Sequence, residues 1–336
     1  MILIDAIYIN QGGGKVLLDL LINALIKKKI DVYFLLDERV KDDYLFLGKN
    51  VTFINSSLLK RFYFYFKNKK QFNSVFTFGN FPPPIKLKCT VYCYFQNLLL
   101  IESNFVSVNL FVKIVIFKHL FFNTHHWFVQ SNVVKKKLSK LSKLSTQIHV
   151  FPFYKQINKN ISIKKINNSS IKYIYVSSAE NYKNHLNLLI AFEKYNNRYP
   201  KSSLTLTVSN KYLKIIKLIE QLKLRKINII NLGLKKNDEI IKKYLESDVM
   251  IFPSKKESFG LGLIEAAQLN MPVISSDLDY VYEVIQPSNV FDPYDSNSIY
   301  NCMCDHHNFI DKPAKINTSN KLNEMISFIV NNNKYV

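Results

Sequence analysis

The amino-acid sequence predicts an α/β protein built from two doubly wound parallel sheets. Its 336 residues exceed one typical core and favour two domains of about 150 residues each. Apolar strand-like runs alternate with amphipathic helical patterns along the chain, which is typical of parallel sheets covered by helices. The alternation is broken at 155–170, a stretch rich in Asn, Lys and Ser. We therefore expect Rossmann-like domains at 1–155 and 156–315, and a C-terminal helix in 316–336 that packs back on the first domain.

The first domain opens with a strand, a glycine turn, a helix and a second strand. These are "ILIDAIYI", "NQGGG", "KVLLDLLINALIKKK" with one apolar face, and "IDVYFLLD". Further strands are predicted at 51–54, 74–78, 89–95, 127–130 and 148–153.

The second domain repeats the alternation. Its strands are predicted at 171–176, 203–208, 227–232, 248–252 and 272–275, and its helices at 185–195, 212–222, 237–246 and 262–269. Two Rossmann-like domains in tandem are expected to bind a ligand in a cleft that faces the carboxyl ends of both sheets.

The composition is that of a folded, strongly basic protein, with 48% apolar residues, 21% charged residues and a formal charge of +21. Between Tyr44 and Ala179, Glu102 is the only acidic residue. Such a field attracts nucleic acid, phospholipid surfaces or phosphorylated substrates. No recognition-helix, RNA-recognition or zinc-finger pattern accompanies the charge, so we expect no nucleic-acid partner.

The cysteines and the apolar runs indicate a cytoplasmic protein. Four cysteines are too few for a disulfide framework, and the chain starts directly with a strand pattern instead of a signal peptide. The longest apolar window, 105–122, is interrupted by Lys113, Lys118 and His119. This argues against a spanning helix but permits an interfacial one, so we expect a soluble or peripheral protein.

The most informative run is "PSKKESFGLGLIEAAQLNMPVISSDLDYVYEVI", residues 253–285. Glu257 and Glu265 lie eight positions apart, around a loop from which a helix starts near Gly260. Free N–H groups at such a helix start bind phosphate or sugar oxygens well. Separated by roughly 12 Å or more, the two carboxylates can grip different parts of one long ligand. The alternative is a helix N-terminus with a favourable acidic residue and no ligand.

This run resembles the family 4 retaining glycosyltransferases of the GT-B fold, whose hallmark is Glu-x7-Glu ahead of a small-residue helix and a "PVI" strand. The similarity extends to "SDVMIFPS", "DYVYEVI", "NVFDPYDSNSI" and "YVSSAENYKNHLNLLIAFEKY". The N-terminal "IDAIYINQGGGKVLLDLLINAL" resembles bacterial surface-polysaccharide members that make O-antigen or capsule. The resemblance covers nearly the whole chain and is strongest from 171 to 300.

The resemblance implies a role for each matching residue. Glu265 would bind the nucleotide ribose, Glu257 the hydroxyls of the donor sugar, and Lys183 the departing diphosphate. The remaining implied donor contacts are Ser178, Gly233, Ser258, Phe259, Gly260, Leu261 and Gly262. One departure matters: where the family usually has Gly-Arg, this chain has Ser177 and Ser178. Either one cation and helix dipoles suffice for the diphosphate, or Lys255 or Lys256 substitutes.

The first domain offers weaker candidates. The "NQGGGK" turn matches neither a dinucleotide fingerprint nor a Walker P-loop. Its glycines are either a tight strand-to-helix turn or, as the resemblance implies, a loop at the diphosphate or acceptor. The candidates of that loop are Gly12, Gly13 and Gly14, and those of the acceptor side are Gln96, Asn97 and His126.

We expect no metal and no cofactor. Asp277 and Asp279 form an Asp-x-Asp after a strand, where the GT-B fold has an ordinary loop. The run "CMCDHH" is one crowded cluster without a paired partner, and a helical surface is its simpler interpretation. It holds Cys302, Cys304, His306 and His307.

These observations predict a retaining transferase that moves a hexose-type sugar from a nucleoside diphosphate sugar to a surface polysaccharide or a polyprenyl-diphosphate-linked acceptor. Retention is inherited from the resemblance. The alternatives are a nucleotide-sugar 2-epimerase of the same architecture and a non-catalytic partner subunit. Three stretches that mix lysines with apolar residues, 59–70, 111–122 and 133–144, predict docking on the inner face of an anionic cytoplasmic membrane.

Overall fold

A computed structural model describes residues 1–102, 107–141, 147–157, 170–308 and 312–332. The chain divides into two compact units, one of Met1–Lys155 with Ser319–Val336 and one of Gln156–Thr318. Most of the stretch that the sequence marks as a boundary, 158–169, lies outside the described residues.

The first unit is built on a seven-stranded, all-parallel sheet in the order β3-β2-β1-β4-β5-β6-β7. Its strands are β1 (Ile2–Ala6), β2 (Val32–Asp37), β3 (Val51–Ile54), β4 (Ser74–Phe78), β5 (Thr90–Tyr94), β6 (His126–Val129) and β7 (Gln147–Val150). Its helices are α1 (Gly12–Lys27), α2 (Leu58–Asn68), α3 (Val108–Leu120), α4 (Asn132–Ser139) and, from the end of the chain, α11 (Leu322–Asn332). Short 3-10 segments occupy Glu38–Asn50, Leu98–Leu100 and Phe121–Asn123.

A buried ion pair ties α2 to the centre of this sheet. Asp5 on β1 and Arg61 on α2 are each 1% exposed at the side chain and lie 2.8 Å apart. The Tyr65 hydroxyl donates to the same carboxylate oxygen at 2.7 Å. Arg61 also donates to the carbonyls of Phe81 and Pro82. With its donors shared among these acceptors, a charge that would otherwise be costly to bury is accommodated.

The second unit is built on a six-stranded parallel sheet in the order β10-β9-β8-β11-β12-β14. Its strands are β8 (Lys172–Tyr175), β9 (Ser203–Leu206), β10 (Ile229–Asn231), β11 (Val249–Phe252), β12 (Val273–Ser276) and β14 (Asn289–Phe291), with an antiparallel pair of β13 (Ile285–Gln286) and β15 (Lys315–Ile316). Its helices are α5 (His185–Arg198), α6 (Leu213–Leu224), α7 (Asn237–Glu246), α8 (Leu261–Gln268), α9 (Asp279–Val284) and α10 (Ser296–Asn308).

Both sheets confirm the predicted doubly wound α/β class. In each sheet the chain starts on an inner strand, builds outward to one side, and then crosses to the other side. This reversal leaves a crevice at the carboxyl ends of the two strands that flank it, which in the second unit are β8 and β11. Among the described residues, no helix is both long and apolar enough to cross a membrane.

Candidate functional site

The crevice beside β8 and β11 brings together the two residues predicted to be catalytic. Lys183 lies in the loop after β8, and Glu257 lies in the loop after β11. The Lys183 Nζ is 2.6 Å from Glu257 Oε1, and the two side chains are 16% and 10% exposed. Because the strands are neighbours in the sheet, residues 74 positions apart become an ion pair that still reaches solvent.

Buried tyrosines hold these two loops in place. The Tyr175 hydroxyl, at the end of β8, donates to the Lys183 carbonyl at 2.9 Å and shares a hydrogen bond with Ser254 Oγ at 2.9 Å. The Tyr280 hydroxyl donates to the Ser254 carbonyl at 2.7 Å. The backbone N–H of Lys255 donates to the Tyr182 carbonyl at 2.7 Å. The positions of Lys183 and Glu257 are therefore fixed by each other's loops.

Asn184 and His185 follow Lys183 and start α5. Asn184 is buried with a left-handed φ of 62°, and its amide donates to the carbonyls of Pro253 and Pro293. The His185 ring is 2% exposed and packs on Tyr175 with a centroid distance of 4.9 Å. Within the described residues neither of its ring nitrogens has a hydrogen-bond partner. Burial, helped by the nearby charge of Lys183, lowers the pKa of His185 to about 4, so the ring is neutral.

The helix start that the sequence predicts is present, because α8 begins at Leu261 with Gly260 as its N-cap. Gly260 has a φ of 86°, which an L side chain rarely adopts. A Cβ on Gly262 would come within 3.0 Å of Met250 Cε, so glycine lets α8 lie close to β11. Phe259 is 2% exposed, so its side chain belongs to the core behind this loop. Ser258 lies in the same loop and is half-buried.

Glu265 lies on α8, in its second turn. One of its carboxylate oxygens accepts a hydrogen bond from the Tyr244 hydroxyl at 3.4 Å. Tyr244 comes from α7 and is 1% exposed. Glu265 is itself half-buried, so the tyrosine can fix the orientation of a carboxylate that solvent can still reach.

Ser177 and Ser178, the two serines for which the resemblance leads one to expect Gly-Arg, belong to an acidic network. The hydroxyls of Ser178 and Tyr212 each donate to a different oxygen of Glu180. Although burial acts to raise it, these bonds hold the pKa of Glu180 below its ordinary value. The Ser177 hydroxyl donates to the Ser178 carbonyl at 2.9 Å. An ionised carboxylate therefore lies two residues after the position at which the family has a cation.

The other candidates of the second unit are Lys255 and Lys256, in the loop after β11, and Gly233, after β10. The Lys255 ammonium lies 5.0 Å from the ring centroid of Tyr294, and Lys256 is half-buried in the same loop. Gly233 has a φ of 66° and follows β10, the edge strand two places away from β8. The Gly233 N–H donates to Asn231 Oδ1 at 3.4 Å, and this hydrogen bond closes a tight local turn.

In the first unit, the glycine turn and one acceptor-side candidate lie together. Gly12 and Gly13 are exposed at the start of α1, just after β1, and Gln96 follows β5 at the same edge of the sheet. A Cβ built on Gly14 would lie 3.8 Å from Gln96 Oε1. The Gln96 Nε2 is buried and has no hydrogen-bond partner among the described residues. This amide is one polar group of that edge with capacity for a ligand.

The other two acceptor-side candidates have local roles. The Asn97 side chain accepts from the Leu99 N–H at 3.1 Å and so caps a short 3-10 turn. His126 is the first residue of β6 and lies in an aromatic cluster, 5.2 Å from the ring of Tyr92 and 5.5 Å from that of Phe328 on α11. It is separated from the carboxyl edge, where Gln96 lies, by the length of its strand.

The residues considered for metal binding are dispersed or buried. In the described part of the chain, no group of three or more His, Cys, Asp or Glu side chains is placed to hold a metal ion. Asp277 accepts from the Tyr282 hydroxyl at 2.6 Å, and Asp279 begins α9. The run "CMCDHH" is helical, as expected, but it is not a helical surface: Cys302, Cys304 and His306 are buried in α10, and His307 stacks on Tyr199.

Sequence reasoning missed Tyr175, Glu180 and His185. Tyr175 had a usable signal, because a tyrosine at the buried end of a strand needs a partner for its hydroxyl. Glu180 had one as well, since it is the first acidic residue after a long basic stretch. The burial of His185 depends on strand order, which the local pattern does not contain.

Comparison with known proteins identifies a domain in the second unit. The family model described as "Glycosyl transferases group 1" matches residues 156–302. A Klebsiella pneumoniae protein described as "Uncharacterized 41.2 kDa protein in cps region" is 38% identical over 63 residues. That match spans 19% of this chain and 18% of the relative, about a fifth of its length.

The solved structures that this chain resembles share the GT-B fold. Sucrose-phosphate synthase from Thermosynechococcus elongatus has a TM-score of 0.73 at 15% identity, with 92% of this chain and 90% of that one covered. Anabaena HepE, solved with UDP and glucose, has a TM-score of 0.70 at 12% identity, with 99% and 97% covered. The lipopolysaccharide outer core galactosyltransferase WaaB has a TM-score of 0.63 at 14% identity, with 90% and 88% covered. Sequence identities of 12–15% show that the fold is shared and show nothing about activity.

Proposed function

We propose, from the glycosyl transferases group 1 domain at residues 156–302, that this GT-B protein transfers a hexose-type sugar from a nucleoside diphosphate sugar. The single observation that carries the proposal is the Lys183–Glu257 pair at 2.6 Å in the crevice of the second sheet. A cation for a leaving diphosphate and a carboxylate for sugar hydroxyls are the groups that this chemistry needs at one place. The resemblance to the Anabaena protein, solved with UDP and glucose, supports the choice of donor class.

In the proposed reaction the chain supplies positioning and charge, and no enzymic nucleophile. The bond between the anomeric carbon and the diphosphate oxygen breaks, and the acceptor hydroxyl forms its bond on the same face, with retention. The hydroxyl proton passes to a diphosphate oxygen. Lys183 stabilises the negative charge that grows on the leaving group, while Glu257 holds the sugar and Glu265 the ribose.

The ion pair makes donor binding an exchange of partners. A diphosphate that approaches Lys183 competes with Glu257 for the ammonium, and a sugar hydroxyl then takes up the released carboxylate. The backbone N–H groups at the start of α8 add a second favourable site for negative charge. This exchange couples the binding of the two halves of the donor.

The acceptor we propose is a surface polysaccharide or a polyprenyl-diphosphate-linked oligosaccharide, held by the edge of the first sheet near Gly12 and Gln96. The relative from a cps region supports a role in capsule synthesis. We further propose that the chain works at the inner face of the cytoplasmic membrane, where a lipid-linked acceptor is presented. An epimerase and a non-catalytic subunit are the alternatives that the experiment must separate.

The test is a panel of UDP and GDP sugars, read first by thermal shift and then by release of nucleotide. A bound donor raises the melting temperature in proportion to ln(1 + [L]/Kd). We expect one base and one sugar to stabilise the protein, and nucleotide release to be lost in Glu257→Gln. Glu220→Gln is the matched control, because Glu220 also pairs with a lysine but lies on the exposed face of α6.

Each alternative predicts a different outcome. Conversion of the donor to a free 2-epimer would identify an epimerase. Stabilisation by nucleotide without turnover on any acceptor extract would identify a non-catalytic subunit. Absence of stabilisation by the whole panel would refute the proposed donor class.

A further inference from the structure

Two helices of the first unit present apolar faces outward. On α2, the buried side holds Arg61, Phe64 and Tyr65, whereas Leu59, Phe62, Tyr63 and Phe66 are 81%, 46%, 66% and 57% exposed. On α3, the exposed residues Val108, Phe111, Val112 and Val115 repeat the same helical spacing. An ordinary surface helix buries such a stripe. Exposed apolar faces made of four neighbouring side chains on each helix indicate an interaction site.

The two apolar faces point to the same side of the unit. Residues of α2 pack against Val75 and Val91, and Phe117 of α3 packs against Cys93 and Trp127. Val91 and Cys93 are two residues apart on β5, so their side chains point to one face of the sheet. Both helices therefore lie in one layer on that face, and their outward stripes share a direction.

Exposed cations surround this side. Lys60, Lys67, Lys69 and Lys70 lie on or next to α2, and Lys113 and Lys118 lie on α3. Between Tyr44 and Ala179 the only acidic residue is Glu102, and Lys137 pairs with it at 2.9 Å. The apolar stripes are thus set in a positive field with no free negative charge from that stretch.

A cavity of about 630 Å³ opens beside α2, at the edge of the sheet. Its lining includes the apolar or aromatic residues Ile54, Leu59 and Tyr63 together with Lys60 and Lys67. An anionic headgroup with the first carbons of its acyl chain matches this mixture of one hydrophobic wall and two cations.

We propose that the outward faces of α2 and α3 dock on an anionic lipid membrane, with one lipid phosphate held between Lys60 and Lys67. Four of the exposed residues, Leu59, Val108, Val112 and Val115, are aliphatic and offer neither stacking nor hydrogen bonds, which favours acyl chains over nucleic acid or polysaccharide. Of the third basic segment, 133–144, residues 142–144 lie outside the described part of the chain. We leave this segment out of the contact, because Val134 and Leu138 on α4 are buried. The inference rests on the proposed membrane location and not on the donor chemistry.

The experiment is co-sedimentation of the full chain with vesicles of phosphatidylcholine, with and without phosphatidylglycerol. We expect binding only to the anionic vesicles, and weaker binding as salt rises. Phe62→Gln/Phe66→Gln and Phe111→Gln/Val115→Gln should each weaken binding about tenfold or more. Leu213→Gln/Leu224→Gln is the matched control, since both leucines are as exposed but lie on α6 of the second unit.

Charge is tested separately from the apolar faces. Lys60→Gln/Lys67→Gln should lower affinity about fivefold for each lysine, whereas Lys214→Gln/Lys217→Gln should leave it unchanged. In Phe62→Trp, brominated lipid should quench the fluorescence of the new tryptophan. The buried Trp127, which the wild type also contains, gives the unquenched reference signal.

Two outcomes would overturn the inference. One is equal loss of binding in the α6 controls. The other is a lipid-free dimer, seen by sedimentation, that the α2 and α3 variants dissociate, because the apolar faces would then be a contact between copies. Binding of UDP or GDP sugars is measured in parallel, so a chain that binds vesicles but no nucleotide would refute the proposed function and leave this inference intact.

Discussion

Replacing Tyr175 with phenylalanine tests whether the loops after β8 and β11 hold the candidate site together. The variant keeps the ring and its packing on His185 but removes the hydrogen bonds to the Lys183 carbonyl and to Ser254 Oγ, both 2.9 Å long. Tyr175 and Ser254 are both fully buried, so water cannot replace the lost partner. A buried polar group left without a partner costs about 1–3 kcal/mol. With two such groups, we expect the free energy of unfolding to fall by about 2–6 kcal/mol.

Urea unfolding followed by far-UV circular dichroism measures this loss. Tryptophan fluorescence would miss it, because the single tryptophan, Trp127, lies in the first unit. Ser254→Ala and the double variant complete a double-mutant cycle, which isolates the energy of the Tyr175–Ser254 bond. Tyr173→Phe is the matched control, since this buried hydroxyl donates over a longer 3.3 Å and to Met303, away from the crevice.

The same variant separates a positioning role from a purely structural one. Loss of the hydrogen bond frees the turn that carries Lys183, so we expect kcat to fall about tenfold while KM for the donor changes little. A protein that is destabilised but turns over at the wild-type rate would refute the positioning role. Unchanged stability would refute the reasoning about the buried bonds.

Three further predictions concern the same site. Glu265→Ala should weaken nucleotide binding in calorimetry, whereas Glu257→Ala and Lys183→Ala should lower turnover on the order of 100-fold; wild-type turnover in both would remove the proposed site. Turnover should survive EDTA, and a loss that magnesium or manganese restores would contradict this. Burial depresses the pKa of His185 from 6.5 to about 4, so the unfolded chain binds a proton that the folded one excludes. In urea unfolding, the free energy of unfolding of the wild type should therefore fall relative to that of His185→Leu as the pH is lowered from 6.5 to about 4, by up to about 3 kcal/mol. A difference between the two proteins that does not change with pH would refute this prediction.

The regular elements were predictable because their patterns are local. A strand that is buried on both faces has a continuous apolar sequence, and "VMIF" lies where the sequence predicts. The start of α8 was predictable for the same reason, since glycine marks a helix boundary. The strand "NVF" was not predicted as such, because three residues give too short a run to separate a strand from a loop.

What lies between elements was not predictable. The pairing of Lys183 with Glu257 follows from the adjacency of β8 and β11, which three crossovers produce and no local pattern encodes. Burial of Cys302 and Cys304 has a similar origin, because α10 is covered by α5, a helix a hundred residues earlier. The sequence predicted a membrane contact for 59–70 and 111–122 from their mixture of lysines and apolar residues, but which side chains of α2 and α3 are exposed depends on how the helices pack on the sheet.

The charge of the crevice has a consequence for donor binding. Glu257 neutralises Lys183, and Glu180 remains ionised through the hydroxyls of Ser178 and Tyr212. Ser178, which stands where the resemblance leads one to expect an arginine, therefore brings no cation and instead provides a donor that keeps a nearby carboxylate charged. In the proposed reaction a diphosphate can bind Lys183 only when Glu257 leaves it, and Lys255, Lys256 and the helix start at Leu261 are the other favourable groups of these loops. In this arrangement the sugar hydroxyls that take up Glu257 become a condition for holding the diphosphate, so a nucleoside diphosphate without its sugar should be the weaker ligand.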